Sequence, residues 1–556
     1  MNYPTKDSTN PQIQEYDLNS RNNSNNSQLF DDPTSERVNK FDIATKDNVK
    51  DDKNSSVKDK LLALSLNFKR FFGFVGPGYV IAVGYLDPGN WATDLSGGSK
   101  FGYSLLFIIF CSNLMAMLLQ SLSIKLGVVT GMDLAQACKH FFHRYPRYFL
   151  YVLCELAIIA TDLAEVIGSA IALRMLFNIP LPYGVAVTAL DVMVILFVYR
   201  DNSMKASRIL ETFVMLLVGT VGICFVLELV YSQPNSVDVL KGYLPSSGIF
   251  TNSEQLYIAI GIIGATVMPH NLYLHSHLVK VRKYREQERV IADRYDNHLE
   301  SGQNIHLDKS TFKSIVANLM NLSVMDSSVA LTFALFVNSS ILIVAAANFF
   351  YKETTIEVAD LFDAYNLLTQ YLGKAAGTLF ALALLIAGQS STLTATIAGQ
   401  IVMEGFMGWK IRAWVRRLLT RSFAIIPAMI IAIVNGENGL NNMLIASQVA
   451  LSIQLPFAVI PLVYFTSSKK CMKVDIRDVF KKDTDESNSP SILNSAPLNT
   501  EDNSNITDEK TDQDPYVTFP NTIWITVIAA IVSIIILGLD IYLIYETFRG
   551  MVQGTL

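Results

Sequence analysis

Charge is scarce in this sequence. Only 17% of the 556 residues are Asp, Glu, Lys or Arg, whereas 51% are hydrophobic and the mean hydropathy is +0.31. The five cysteines show neither paired nor metal-finger spacing, which argues against a disulfide framework and a zinc site. No short apolar core with a small-residue cleavage site marks a secretory signal, so we expect membrane insertion to begin at the first spanning segment. The composition indicates a polytopic helical membrane protein rather than a soluble enzyme.

Apolar runs of the length that crosses a bilayer recur along the chain. We predict about eleven spans, at residues 71–95, 102–126, 149–175, 183–200, 209–232, 254–279, 316–349, 376–406, 414–434, 440–466 and 521–547. Two low-complexity segments are too poor in apolar residues to fold. The predicted organisation is therefore a disordered N-terminal tail (1–67), a ten-span core (68–466), a disordered cytosolic loop (467–520) and a last helix with a short C-terminus (521–556).

Basic residues concentrate in the gaps after every second span, whereas the remaining gaps hold only scattered charges. Because basic residues are retained on the cytosolic side, this asymmetry predicts a cytosolic N-terminus and an odd number of spans. The C-terminus is expected outside the cell or in a lumen. The expected location is the plasma membrane or an endomembrane such as the endosome, Golgi or vacuole.

Two apolar stretches are each interrupted by a short polar cluster that contains proline: Asp87-Pro88-Gly89-Asn90 and Ala265-Thr266-Val267-Met268-Pro269-His270. A break inside the bilayer is tolerated only where the unwound chain is buried in protein or lines a polar cavity. If spans 1–5 and 6–10 are two halves, each break falls in the first helix of its half. This arrangement is typical of inverted-repeat secondary transporters and predicts a substrate site near the bilayer midplane.

The two breaks offer a mixed set of metal ligands. Asp87 supplies a carboxylate and Asn90 an amide oxygen, an unwound Ala265 or Thr266 would free a backbone carbonyl, and Met268 supplies a thioether. Calcium and magnesium take oxygen ligands only, whereas a thioether favours softer metals. An isolated Met in an apolar helix is more often a core filler, but the neighbouring break argues against that interpretation. The set predicts a site for a divalent transition metal.

Three acids of the third predicted span, Glu155, Asp162 and Glu165, are spaced so that they share one stripe of a helix. Ionisable residues inside a membrane usually face a polar cavity, where they mark an ion route or pair with a base. The stripe predicts a proton path. A purely structural pairing of these acids with Arg416 or Arg417 stays open as the alternative.

His270 follows Met268 by two residues. Histidine is suited to shuttle protons near neutral pH, which makes His270 a candidate for the same path. A lone helix histidine is often only a hydrogen-bonded packing residue, and we interpret His275 in that way.

Several motifs together resemble the Nramp family of proton-coupled divalent metal transporters: Asp87-Pro88-Gly89-Asn90, Met268-Pro269-His270-Asn271, and the segments 160–165, 387–391 and 447–449. The likeness covers about residues 70–466, and the long polar tails make the chain similar to fungal, yeast Smf-like members. The resemblance implies an all-α membrane protein with a LeuT-like inverted repeat of five plus five helices, in which helices 1 and 6 are discontinuous.

The resemblance also implies functional residues. The metal ligands would be Asp87, Asn90, the backbone carbonyl of Ala265, Met268 and, when the site closes, Gln448. The proton route would involve Asp87 together with His270, Asp162, Glu165, Glu155, Arg416 and Arg417. No resident cofactor is expected, because divalent metal ions and protons are the cargo. The expected function is symport into the cytosol by alternating access, without enzymatic activity or nucleic-acid binding, and the tails are expected to present signals to ubiquitin ligases or sorting adaptors.

Three other functions fit the sequence less well. A symporter for organic solutes would present free amides to a substrate carboxylate, whereas Asp87 at the break repels an anion. A metal sensor or receptor would be expected to carry a folded signalling domain, and the low-complexity tails offer none. A passive channel is the third alternative.

Overall fold

The computed structural model describes residue 81 and residues 84–198, 219–220, 222–223, 225–280, 309–351, 360–409, 411–475 and 516–553. All of them belong to one structural unit, Phe71–Leu556. The tail predicted at 1–67 lies outside the described residues, as does most of the loop predicted at 467–520.

The described residues are almost entirely helical. In chain order the helices are α1 (Pro88–Phe101), α2 (Leu106–Thr130), α3 (Leu134–Phe141), α4 (Arg144–Phe177), α5 (Leu181–Val198), α6 (225–232), α7 (Ser236–Gly242), α8 (Gly248–Thr251), α9 (Ser253–Thr266), α10 (269–280), α11 (Lys309–Ala345), α12 (Leu361–Leu372), α13 (Lys374–Met407), α14 (Ala413–Val434), α15 (Gly436–Ser467) and α16 (Ile523–Gln553). A 3-10 turn (Gly102–Leu105) joins α1 to α2, and a π-helical turn (Ala346–Phe350) continues α11.

Eight stretches of the described residues are long and apolar enough to cross a membrane. One of them, Pro88–Thr130, contains the last part of the first predicted span, residues 88–95, and the whole of the second. Helices α5 and α6 correspond to the fourth and fifth predicted spans, and α6 is only the described part of its span. The prediction of an all-α membrane protein with about eleven spans is confirmed.

Helix α1 begins inside the first predicted span because two residues start a helix there. Asp87 has extended backbone angles (φ −71°, ψ 164°), and its carboxylate accepts a hydrogen bond of 3.0 Å from the backbone N–H of Asn90. This is an N-cap, and Pro88 follows at the first helical position, where no N–H is needed. Gly84 is helical and residues 85–87 form a turn. The predicted first break is present.

The second break separates α9 from α10. Helix α9 ends at Thr266, and Val267 has the non-helical angles φ −99° and ψ 71°. Helix α10 begins with Pro269, so Met268 lies between the two helices. Because Pro269 has no N–H, the carbonyl of Ala265 loses the donor that an unbroken helix would give it.

Glycines let neighbouring helices approach the first turn of α1. A Cβ atom at Gly168 of α4 would collide with Pro88, and one at Gly89 would collide with the side-chain amide of Gln448 in α15. Only glycine permits such close approach. The start of α1 is therefore held directly against α4 and α15.

The loop predicted at 467–520 is ordered at both ends. Strand β1 (Lys473–Asp475) pairs antiparallel with β2 (Tyr516–Thr518), and Val474 lies opposite Val517. The ammonium group of Lys473 lies 3.6 Å from the ring centroid of Tyr516, within cation–π range. The part of this loop outside the described residues is therefore 476–515.

Candidate functional site

Hydrogen bonds join the two breaks. The side-chain amide of Asn90 donates to Asp87 Oδ1 at 2.6 Å and to the backbone carbonyl of Ala265 at 2.9 Å. Asp87, Asn90 and Ala265 are all buried. Three of the predicted ligands therefore meet where the start of α1 contacts the end of α9.

Met268 is fully buried at the second break. Its sulfur lies 3.6 Å from Nδ2 of Asn271. The Asn271 side chain packs so closely against Gly84 that it would collide with a Cβ atom there. Asn271 thus contacts both the sulfur of Met268 and Gly84, which lies just before the first break.

Gln448 lies beside the turn formed by Asp87 and Asn90, because its side-chain amide occupies the space next to Gly89. Its Nε2 atom donates to the hydroxyl of Ser447 at 3.0 Å. Its Oε1 atom is buried and has no hydrogen-bond partner among the described residues. The position predicted to join the site on closure therefore already contacts α1.

Buried oxygen atoms without donors accumulate around the breaks. In the described part of the chain, no hydrogen-bond partner is found for Asp87 Oδ2, Thr266 Oγ1, Asn271 Oδ1 or Gln448 Oε1. Buried polar atoms normally have a hydrogen-bond partner, so these four oxygens are available to bind a cation. Carboxylate, amide, carbonyl and thioether ligands together suit a divalent transition metal as cargo.

The described residues contain no group of three or more His, Cys, Asp or Glu side chains that could hold a metal. Of the predicted ligands, only Asp87 belongs to those residue types.

Buried ion pairs connect α4 to α14. Arg417 binds both Asp162 and Glu165, the latter at 3.0 Å, and Arg416 binds Glu155 at 2.6 Å. The pairing of these acids with Arg416 and Arg417, which the sequence left open as an alternative to a proton path, is therefore present. Each of the three acids also keeps one oxygen, Glu155 Oε1, Asp162 Oδ2 and Glu165 Oε1, without a hydrogen-bond partner among the residues that the structure describes.

Two side chains of this network were not predicted from the sequence. Arg421 Nη1 lies 3.5 Å from Glu165 Oε2, and the hydroxyl of Thr392 donates to the same oxygen at 2.7 Å. Arg421 follows Arg417 by one helical turn, and this spacing could have identified it. Thr392 gives no such signal because it lies on α13, far along the chain from Glu165.

His270 connects the second break to α4. Its Nδ1 atom lies 3.5 Å from the hydroxyl of Thr161, the residue before Asp162. His275 lies in another buried network, in which its Nδ1 atom is 2.8 Å from Gln120 Oε1 and Gln120 Nε2 donates to the hydroxyl of Tyr85 at 2.9 Å.

Asn338 of α11 also contacts the first break and was not predicted from the sequence. Its side-chain amide donates to the carbonyl of Tyr85 at 3.2 Å and to Asn90 Oδ1 at 3.5 Å. The sequence signal was three consecutive polar residues, Asn338, Ser339 and Ser340, inside an apolar span. Asn338 holds the first break in place from the side of α11.

The chain matches one protein family and several named relatives of that family. Residues 78–480 match the family described as "Nramp: Natural resistance-associated macrophage protein-like". The chain is 52% identical over 406 residues to the divalent metal cation transporter MntH of Nostoc sp., covering 73% of this chain and 85% of that protein. It is 50% identical over 406 residues to MntH of Bradyrhizobium diazoefficiens, covering 73% and 84%.

A solved structure is also similar. The crystal structure of the Eremococcus coleocola manganese transporter in complex with an aromatic bis-isothiourea substituted compound has a TM-score of 0.66 at 34% identity, covering 87% of this chain and 88% of that one. These relatives are bacterial and do not support the narrower likeness to yeast Smf proteins.

Proposed function

This chain belongs to the Nramp family, and from that premise we propose that it is a proton-coupled symporter that moves divalent transition-metal ions, such as Mn²⁺ and Fe²⁺, into the cytosol by alternating access. The family consists of transporters rather than enzymes, and the metal is a substrate rather than a cofactor. The chain is a multi-pass membrane protein with the LeuT-like fold of this family.

The main support for this proposal is one contact between the two breaks. The hydrogen bond of 2.9 Å from Asn90 to the carbonyl of Ala265 joins the two broken helices at their ends. In an inverted-repeat transporter the substrate binds where two discontinuous helices meet.

The proposed metal ligands are Asp87, Asn90, the carbonyl of Ala265, Met268 and, on closure, Gln448. The amide of Asn90 now points its nitrogen at Asp87 and Ala265. A cation repels that N–H₂ group, so metal binding requires the amide to turn until Oδ1 faces the ion. The carbonyl of Ala265 is available because Pro269 cannot donate to it.

The proposed proton route uses His270, Asp162, Glu165, Glu155, Arg416 and Arg417, with Asp87 at its start. The contact of His270 with Thr161 supports continuity between the metal site and α4. Protonation of Asp162 or Glu165 would weaken its pair with Arg417 and so change the contact of α4 with α14. An inside-negative potential favours inward movement of cations by about 2.3 kcal/mol per charge per 100 mV.

Metal uptake into proteoliposomes tests the function. We expect Mn²⁺ and Fe²⁺ uptake to rise several-fold when an inward proton gradient is imposed, with little uptake of Ca²⁺ or Mg²⁺. Protein-free liposomes are the control. Mn²⁺ uptake that ignores the proton gradient would contradict coupling, and no uptake above the control would contradict transport.

Substitution of Met268 tests the thioether as the selectivity filter. Met268→Ala is expected to retain some Mn²⁺ transport, with affinity lower by about tenfold, or about 1.4 kcal/mol, and to admit Ca²⁺, because the remaining ligands are all oxygen. Competition between Ca²⁺ and radiolabelled Mn²⁺ measures this change. Met403→Ala is the matched control, because Met403 is equally buried but lies on α13. Continued rejection of Ca²⁺ by Met268→Ala would refute the filter.

We propose the cytosolic N-terminus from the distribution of basic residues. The proposed location is the plasma membrane or an endomembrane. The segments 1–67 and 476–515 are proposed as cytosolic regions that bind ubiquitin ligases or sorting adaptors. The proposed likeness to fungal, Smf-like members rests on these polar tails, which extend beyond the family match at 78–480.

A further inference from the structure

A small cavity lies next to the first turns of α1. Side chains of α1, α6, α12 and α13 line it together with the end of α11 and its π-helical turn. Its volume of about 10 Å³ has room for roughly one water molecule. Glu228 of α6 is the only titratable group among the described residues that line it, and the others are apolar or aromatic.

An aromatic triad, Trp91, Phe225 and Phe380, forms part of the cavity wall. The ring centroids lie 5.7 Å apart for Trp91 and Phe225, 5.4 Å for Trp91 and Phe380, and 6.1 Å for Phe225 and Phe380. The three rings come from α1, α6 and α13, and Trp91 directly follows Asn90. Through Trp91, the triad is therefore next to a proposed metal ligand.

Glu228 is 3% exposed. No residue of opposite charge is found among the described residues that line the cavity. An ionised carboxylate buried without a counter-charge is strongly unfavourable, and one water molecule cannot replace its hydration shell. The closed cavity is therefore compatible with the neutral carboxyl group.

The other charged groups on the surrounding elements do not line the cavity. They are Asp94 and Lys100 on α1, Asp363 on α12, Lys374 and Glu404 at the two ends of α13, and Lys309, Lys313 and Asp326 on α11, whose cavity-lining end contributes only apolar residues. In the proposed orientation, α12 lies on the outer side of the membrane.

We propose that Glu228 is a proton-binding site of the outer gate. The carboxyl group holds its proton while the aromatic triad is closed, and releases it to the outer solution when the cavity opens. The resulting carboxylate attracts a divalent cation to the entry of the metal site. Closure returns a proton from the outer solution to the same oxygen. This inference rests on the proposed symport function and on the proposed orientation.

Thiol accessibility tests the proposal without metal or a pH gradient. A cysteine introduced by Ala364→Cys, in the cavity wall on α12, is treated with a membrane-impermeant thiol reagent from the outside. The labelling rate is divided by that of Leu240→Cys, an exposed position on α7 that corrects for the pH dependence of the thiol itself. Protein without an introduced cysteine gives the blank.

With Glu228 present, we expect the corrected rate to rise several-fold from acidic to slightly alkaline pH. With Glu228→Gln, which keeps the shape but cannot ionise, we expect a slow rate at both pH values. Glu254→Gln is the matched control because it removes an exposed acid of α9 that pairs with Lys100 outside the cavity, and it should keep the rise. An unchanged pH response in Glu228→Gln overturns the proposal.

Two further variants keep the test decisive if Glu228→Gln does not fold. Glu228→Leu suits an apolar cavity and must lose the pH response, whereas Glu228→Asp must keep it. The opposite result in either variant also overturns the proposal. Failure of the proposed function would show itself separately, as absence of metal uptake by the unmodified protein in proteoliposomes.

Discussion

Arg417→Gln is expected to abolish transport and to destabilise the protein strongly. The substitution leaves Asp162 and Glu165 buried without the arginine that binds both of them. Removal of one partner from a buried ion pair costs about 3–5 kcal/mol, because the remaining charge stays buried. Arg421 lies at 3.5 Å from Glu165 and compensates for only part of this loss. The midpoint of thermal unfolding in detergent, measured beside Mn²⁺ uptake, reports both effects.

Charge-matched variants separate the structural role of this network from a role in proton transfer. The triple variant Arg417→Gln, Asp162→Asn, Glu165→Gln removes the uncompensated charges and is expected to recover much of the stability. If α4 carries the proton route, the triple variant stays uncoupled although it folds. Metal-driven acidification equal to that of the parent in Asp162→Asn and Glu165→Gln would exclude the α4 acids as the route.

Arg417→Lys gives an intermediate test of geometry. Lysine keeps the charge but lacks the planar fork that binds two carboxylates at once. We expect a stability between those of the parent and Arg417→Gln. Full recovery by lysine would show that charge alone, rather than the bridging of Asp162 and Glu165, is required.

The breaks were predictable because their causes are local. Asp87 caps α1 through the N–H group three residues later, and Pro269 withdraws the donor that Ala265 needs four residues earlier. The sequence left Ala265 and Thr266 as alternatives for the free carbonyl. In the structure the Ala265 carbonyl accepts the hydrogen bond from Asn90. Spans were likewise predictable from runs of apolar residues.

Contacts between distant helices were not predictable in this way. Thr392 reaches Glu165 across 227 residues and Asn338 reaches Asn90 across 248, so no spacing rule relates them. The pair of strands at the ends of segment 476–515 was also missed. Each strand has only three residues, and each stands beside a low-complexity segment without alternating apolar positions.

Asp87→Asn is expected to abolish metal uptake while it leaves the fold intact. Asparagine caps a helix about as well as aspartate, so the hydrogen bond to the N–H of Asn90 can persist. What is lost is the only anionic ligand of the proposed set. We expect the affinity for Mn²⁺ to fall by about a hundredfold or more, or about 2.7 kcal/mol, as measured by calorimetry in detergent. Asp87→Ala removes the cap as well and should add a loss of about 1 kcal/mol in stability.

Asp94→Asn is the matched control for Asp87→Asn. Asp94 is also an aspartate of α1 and is 1% exposed, but it stands one turn beyond Asn90. Its substitution should change Mn²⁺ affinity only a few-fold, because Asp94 is not in the proposed ligand set. Asn90→Ala should abolish uptake as Asp87→Asn does, since it removes both a proposed ligand and the link to Ala265. Retained Mn²⁺ affinity in Asp87→Asn, or equal losses in Asp87→Asn and Asp94→Asn, would show that the contact of α1 with α9 is not the metal site.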